Sequence, residues 1–238
     1  MSAKFAHKGS KKKKYVKQMF NDISGTYDLI NIISSFGIDR YWRYRLVNSI
    51  KLNSNQKLLD VATGTGDVAF GFFKKYKLSV VGLDIASKMI SLAKIKAKKY
   101  SDNIDFIVGD AEDIKFGDNS FDALTISFGF RNIGAYDKAL SEFYRVLNKN
   151  GKIAILEFSK PTSKWFSPIF EFYFKNVIPL IGSFLSRKDA YLYLPESVDY
   201  FLERNSVCDK MEKAGFTNVK FTDYTFGVVS LYIGEKNE

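Results

Sequence analysis

Three segments of the chain have the residue types and spacing of a nucleoside site. The first is Asp60-Val61-Ala62-Thr63-Gly64-Thr65-Gly66-Asp67. Gly64 and Gly66 let the backbone approach a ligand, and a helix after them offers free N–H groups to an anion. The second is Asp84, whose carboxylate can accept hydrogen bonds from both hydroxyls of a ribose. The third is Gly109-Asp110-Ala111, where a carboxylate beside a backbone N–H can read an adenine edge. The glycine loop alone is ambiguous. Gly64-x-Gly66-x-x-Ala69 also meets the dinucleotide fingerprint, with Asp84 at the expected spacing, so an NAD enzyme is a rival. A tight strand-to-helix turn without any ligand is the plain alternative. Acids after both the second and third strands suit a nucleoside better than a pyrophosphate-linked dinucleotide.

These residues need a sheet to position them. Short apolar runs at 57–62, 78–83, 104–108, 121–127 and 152–158 read as strands. Helical stretches at 67–76, 87–99 and 136–147 alternate with them, Ser87 serving as an N-cap. This rhythm predicts an α/β fold with a Rossmann-like, doubly wound, mostly parallel sheet. Strands apolar on both faces fit a sheet covered by helices. A helix at 204–215 and two strands at 219–224 and 228–234 bring the count to seven. The last two are too close for a crossover helix, so they form an antiparallel hairpin at the sheet edge. Residues 12–50 read as N-terminal helices, and 160–195 as an aromatic-rich helical cap insertion. Ligands in such sheets bind beyond the C-terminal strand ends.

The segments resemble class I S-adenosylmethionine (SAM)-dependent methyltransferases, and more closely the menaquinone and ubiquinone biosynthesis C-methyltransferases. The likeness rests on Tyr27-Asp28-Leu29-Ile30-Asn31, on Leu59 to Asp67 and on Asp118-Asn119-Ser120-Phe121-Asp122. Two further stretches, Ser127-Phe128-Gly129-Phe130-Arg131-Asn132 and Glu157-Phe158-Ser159-Lys160-Pro161, are specific to the quinone family. The resemblance implies that Thr65, Asp84, Asp110, Ala111 and Ser127 contact SAM, with Asp60, Gly64 and Gly66 in the same loop. Thr63 departs from the family, which usually has glycine there; it tightens the loop without abolishing it.

The implied reaction methylates a ring carbon of a polyprenylated quinol: demethylmenaquinol, or a 2-methoxy-6-polyprenyl-1,4-benzoquinol. Gly25-Thr26-Tyr27-Asp28 and the ending Tyr224 to Ser230 look more like menaquinone-only members. The ring carbon becomes nucleophilic when a hydroxyl with a pKa near 10 loses its proton. Arg131, after the fourth strand, can stabilise that oxyanion. It can equally pair with an acid such as Asp28 and fix the N-terminal helices. Asn132 can orient the same hydroxyl, and Tyr27 can come down over the cofactor. Glu157 is either a supporting or a structural acid. The aromatic insertion, with Trp165, Phe170 and Phe174 among others, serves as core, as a lid for the prenyl tail, or as both.

Charge and composition limit the alternatives. Of 36 bases against 26 acids, seven lysines lie in the first twenty residues. Removing those seven from the net +10 leaves +3 for the rest. No specific nucleic-acid partner is therefore expected. The place after the fourth strand also lacks the Asn/Asp-Pro-Pro-aromatic loop that nucleic-acid amine methylases resemble one another in. Residues 1–14 are expected as a basic flexible arm attracted to anionic lipid at about 1 kcal/mol per lysine, and 15–238 as the catalytic domain. One cysteine, Cys208, and one histidine, His7, argue against zinc and against an internal disulfide. No metal is expected. The stretch 165–185 is too broken by charge and proline to span a bilayer. The expected location is the cytoplasm, peripheral at the membrane's inner face. Oligomeric state stays open, a homo-oligomer included.

Overall fold

The structure is a computed structural model describing residue 5 and residues 8–100, 103–185 and 188–237. Five of the apolar runs form parallel strands: β1 (Lys57–Val61), β2 (Ser79–Asp84), β3 (Ile104–Val108), β4 (Phe121–Ser127) and β5 (Leu147–Phe158). Both faces of the central strands are covered. Leu58 packs into one helical layer and Leu59 into the other, both fully buried. Each such side chain contributes about 1.5–3 kcal/mol through burial.

The helices are α1 (Gly9–Ile23), α2 (Tyr27–Ser35), α3 (Ile38–Ser49), α4 (Asp67–Tyr76), α5 (Ser87–Ala97) and α6 (Tyr136–Val146), then α7 (Ser167–Phe172), α8 (Ile178–Leu185), α9 (Lys188–Asp199) and α10 (Arg204–Lys213). Helices α3, α4 and α5 cover one sheet face, and α6 and α10 the other. Strands β6 (Thr217–Tyr224) and β7 (Val229–Glu235) complete a seven-stranded sheet of order β3-β2-β1-β4-β5-β7-β6. The expected hairpin is present. Its reversed member is β7, which runs antiparallel to both β5 and β6 and leaves β6 at the edge. The order switches between β1 and β4, so the loops after these strands lie side by side.

A third apolar cluster joins the N-terminal helices to the cap. Val16, Met19 and Ile23 of α1 and Ile30 of α2 meet Phe174, Ile178, Tyr191 and Tyr193. Together these elements roof the C-terminal end of the sheet.

Three expectations need correction. The basic arm does not extend freely to residue 14, because α1 already begins at Gly9 and Lys12 is 2% exposed. Residues 1–4 and 6–7, with Lys4 and His7, lie outside the described residues. Ser87 is the first helical residue and not the N-cap; the cap is Ala86, whose N–H is taken by Asp84 Oδ1 at 2.8 Å. The cap helices also run past 195, since α9 ends at Asp199.

Candidate active site

Asp60 ends β1 beneath the glycine loop and points inward. Thr63 Oγ1 donates to its Oδ2 at 2.6 Å, and Thr125 Oγ1 to its Oδ1 at 2.7 Å. Burial pushes its pKa up to about 6 against the pull of these hydroxyls. Asp60 therefore shapes the loop, and Thr63 is the tether that a glycine at that place would lack. Two glycines make the loop's path feasible. At Gly66 (φ 93°) a Cβ would stand 2.7 Å from the Phe106 ring. At Gly129 a Cβ would stand 2.4 Å from Ala62 Cβ, where the loops after β1 and β4 touch.

Asp84 is buried at the end of β2. Its Oδ2 accepts the Gly64 N–H at 2.9 Å, and its Oδ1 the Ala86 N–H at 2.8 Å. Burial raises its pKa, and these N–H groups oppose the rise. Each oxygen keeps a second lone pair for a further donor. Asp84, Gly64, Asp110, Ala111, Ser127 and Asn132 line one pocket. Ser127 Oγ is buried there with no hydrogen-bond partner among the described residues. An orphaned hydroxyl beside a ribose-type carboxylate fits the adenosyl group of SAM: Asp84 and the loop N–H groups would hold the sugar side, and Asp110 with Ala111 the base.

Lysine 13 enters this pocket from α1, a contact that sequence reasoning missed. Its Nζ reaches Asp110 Oδ2 at 2.7 Å and Glu112 Oε2 at 2.8 Å. Thr65 is placed differently from Asp84. Its hydroxyl donates to Asp28 Oδ1 at 2.7 Å and accepts from Lys96 Nζ at 2.8 Å. It faces a smaller recess shared with Tyr27, Arg43, Gly64 and Ser127.

A second, apolar pocket adjoins the first. Met19, Ile23, Trp42, Phe158, Phe170 and Phe174 are among its walls. Tyr27, Phe20 and Phe128 line both pockets. Tyr27 also lies over the glycine loop, its ring 3.9 Å from the Cβ position of Gly64. Burial raises its phenol pKa, while the Arg43 guanidinium lowers it.

Arg131 lines the apolar pocket, and its acid partner is Glu157, not Asp28. Nη1 donates to Glu157 Oε1 at 2.6 Å and to the Phe128 carbonyl at 2.7 Å, and Nε to Ser197 Oγ at 3.2 Å. Glu157 Oε2 also accepts the Arg131 backbone N–H at 3.0 Å. Nη2 has no hydrogen-bond partner among the described residues. Asn132 sits on the cofactor side, where its Oδ1 accepts the Tyr193 hydroxyl at 3.1 Å. Tyr193 lines the apolar pocket, so Asn132 reaches that side through it. Beneath them Lys12 Nζ donates to the Arg131 carbonyl at 2.5 Å.

The fold places the chain among the class I methyltransferase-like α/β proteins. The [4+2]-cyclase SpnF aligns with a TM-score of 0.69 at 15% identity, over 99% of each chain. Haemonchus contortus phosphoethanolamine N-methyltransferase 2, solved with SAM, aligns with a TM-score of 0.63 at 17% identity, over 81% of this chain and 51% of that one. At these identities the likeness is one of fold. The model of the ubiE/COQ5 methyltransferase family matches residues 8–236, and the chain belongs to that family. It is 44% identical to the ubiquinone/menaquinone biosynthesis C-methyltransferase UbiE of Citrifermentans bemidjiense, over 95% of this chain and 98% of the relative. It is 40% identical to the demethylmenaquinone methyltransferase of Thermus thermophilus, over 92% of this chain and all of the relative.

Proposed function

We propose that this chain transfers a methyl group from SAM to a ring carbon of a polyprenylated quinol, with demethylmenaquinol as the substrate. The observation that carries the reading is the shared wall of the two pockets. Tyr27 and Phe128 line both the polar, acid-bearing pocket and the aromatic one. A polar ligand and a greasy one therefore meet at that wall. The name of the Citrifermentans relative also covers ubiquinone synthesis, so a methoxy-benzoquinol is the second reading.

When bound, SAM supplies an electrophilic methyl group on its sulfonium. Asp84, Asp110, Ala111 and Ser127 hold and orient it. Asp60 and Thr63 keep the glycine loop in shape beneath it. The aromatic walls around Trp42 and Phe158 exclude water and receive the quinol ring. Arg131, lining the pocket with its Nη2 left for a ligand, meets the ring hydroxyl; its charge favours the phenolate and so raises electron density on the ring carbon. Glu157 and the Phe128 carbonyl fix the guanidinium for that task. Tyr193, oriented by Asn132, offers a second polar contact to the ring.

A long prenyl tail keeps such a quinol in the bilayer, so the chain works against the inner face of the membrane. The test is incubation with SAM labelled in its methyl carbon and a short-chain demethylmenaquinol, with NMR of the product. The label is expected on the ring carbon. Label on an oxygen, or none on the quinol, overturns the reading.

A further inference from the structure

Exposed apolar side chains cluster beside the apolar pocket: Phe36, Tyr41, Trp165, Ile169, Phe172 and Phe226. Ring contacts tie several of them to one another and to the pocket wall. Phe36 lies 5.7 Å from the ring of Tyr173, a wall residue. Trp165 lies 5.2 Å from Phe226. Trp42, another wall residue, donates from Nε1 to Thr225 Oγ1 at 2.8 Å, one residue before Phe226. Tyr41 meets Tyr224 at 6.2 Å.

Two of these residues sit on strained backbone. Phe36 (φ 51°) and Phe226 (φ 56°) adopt the left-handed region, which is uncommon for bulky side chains. Glycine or asparagine would make either turn with less strain. Packing within the chain covers these side chains only in part: Phe36 is 79% exposed and Phe226 is 53% exposed. Each keeps a large exposed apolar face beyond its ring contacts with Tyr173, Trp165 and Phe166.

The charges beside the cluster indicate what those faces meet. Arg45 lies over the Tyr224 ring at 4.8 Å, and Lys164 precedes Trp165 in the chain. Among the described residues, neither has a carboxylate within ion-pair distance. Glu171, on the same helix as Ile169 and Phe172, is paired with Lys175 at 3.6 Å. Phe, Trp and Tyr flanked by unpaired bases suit a bilayer interface, with rings at headgroup depth and cations on anionic phosphates. Among the described residues no helix is long and apolar enough to cross a membrane, so the contact is interfacial. Two of the five lysines of α1 do not supply this charge. Lys12 is buried and Lys13 is held by Asp110 and Glu112.

We propose that this aromatic rim docks on an anionic bilayer surface and opens the apolar pocket toward the hydrocarbon. The use of the pocket as a quinol entrance rests on the function proposed above; the docking itself does not. The test is flotation of the full chain with phosphatidylcholine vesicles, with and without phosphatidylglycerol. A Phe36→Ser/Trp165→Ser/Phe226→Ser variant is compared with the wild type, and an Ile169→Ser/Phe172→Ser variant covers a fold failure of the first. A melting curve confirms that each variant is folded. Wild type is expected to float with the phosphatidylglycerol vesicles, and a folded variant to bind about tenfold more weakly. Methylation of a short-tailed quinol in detergent-free buffer should persist in both. Equal flotation of wild type and both folded variants overturns the proposal. So does a wild type that ignores vesicles while the variants convert a dimer to a monomer, which makes the rim a contact between copies. Absent flotation with intact quinol methylation sinks the docking alone. Flotation without methylation sinks the function alone.

Discussion

Glu157 grips Arg131 at two points, taking the backbone N–H with one oxygen and the guanidinium with the other. The acid is fully buried, so the pair aims the guanidinium and also carries a structural burden. Glu157→Ala leaves a buried cation without its partner, and the expected loss of stability is about 3–5 kcal/mol, read from urea unfolding. Glu157→Gln keeps an acceptor and loses less. In that milder variant kcat should drop at least tenfold while SAM affinity stays within about twofold, since each such shift reflects a different bound state. Equal loss of both would place Glu157 in the cofactor site.

Asp84 and Ser127 make a paired prediction. Asp84→Ala removes an acceptor for the ribose and also strands the N–H groups of Gly64 and Ala86. Charged hydrogen bonds contribute about 1.5–3 kcal/mol each, so SAM should bind at least tenfold more weakly by calorimetry. Ser127→Ala deletes a hydroxyl that has no partner among the described residues. Its unfolding free energy should be unchanged or higher, while SAM affinity falls by about 1 kcal/mol. A stability loss with unchanged affinity would show that Ser127 serves the fold instead.

Lys12 gives a pH signature. Burial first, and then the charge of Arg131, lower its pKa from 10.5 to about 8. Between these two values the unfolded chain binds more protons than the folded one, so this residue makes stability rise as pH climbs from 8 toward 10.5. Below 8 the buried ammonium subtracts about 3 kcal/mol. Lys12→Met should therefore stabilise the chain near neutral pH and flatten the rise above pH 8. Urea midpoints of both proteins across that range decide it. Parallel pH profiles would mean that Lys12 keeps an ordinary pKa.

How much of this was legible in the sequence depended on distance along the chain. Asp84, Asp110 and the glycine loop could be found because each closes a strand and begins a turn, and turn chemistry is local. Arg131 and Asn132 were legible through their motif, but their partners were not. Glu157 is 26 residues from Arg131, and Tyr193 is 61 residues from Asn132. Lys12 and Lys13 sit in a run that reads as a solvated arm. Their contacts lie 119 and 97 residues away, and no local pattern announces them. The misplaced N-cap has a similar cause. Asn21 Oδ1 of α1, 67 residues away, takes the Lys88 N–H at 2.9 Å, the kind of bond that Ser87 was expected to accept.

The measurement that bears most directly on the central claim is transfer of labelled methyl from SAM, with short-chain demethylmenaquinol, the methoxy-benzoquinol and RNA offered side by side. Wild type is expected to label the quinols, demethylmenaquinol with the higher kcat/KM. Arg131→Met should lose about a hundredfold in rate, as removal of an oxyanion-stabilising donor does. Label on RNA with neither quinol labelled would contradict it.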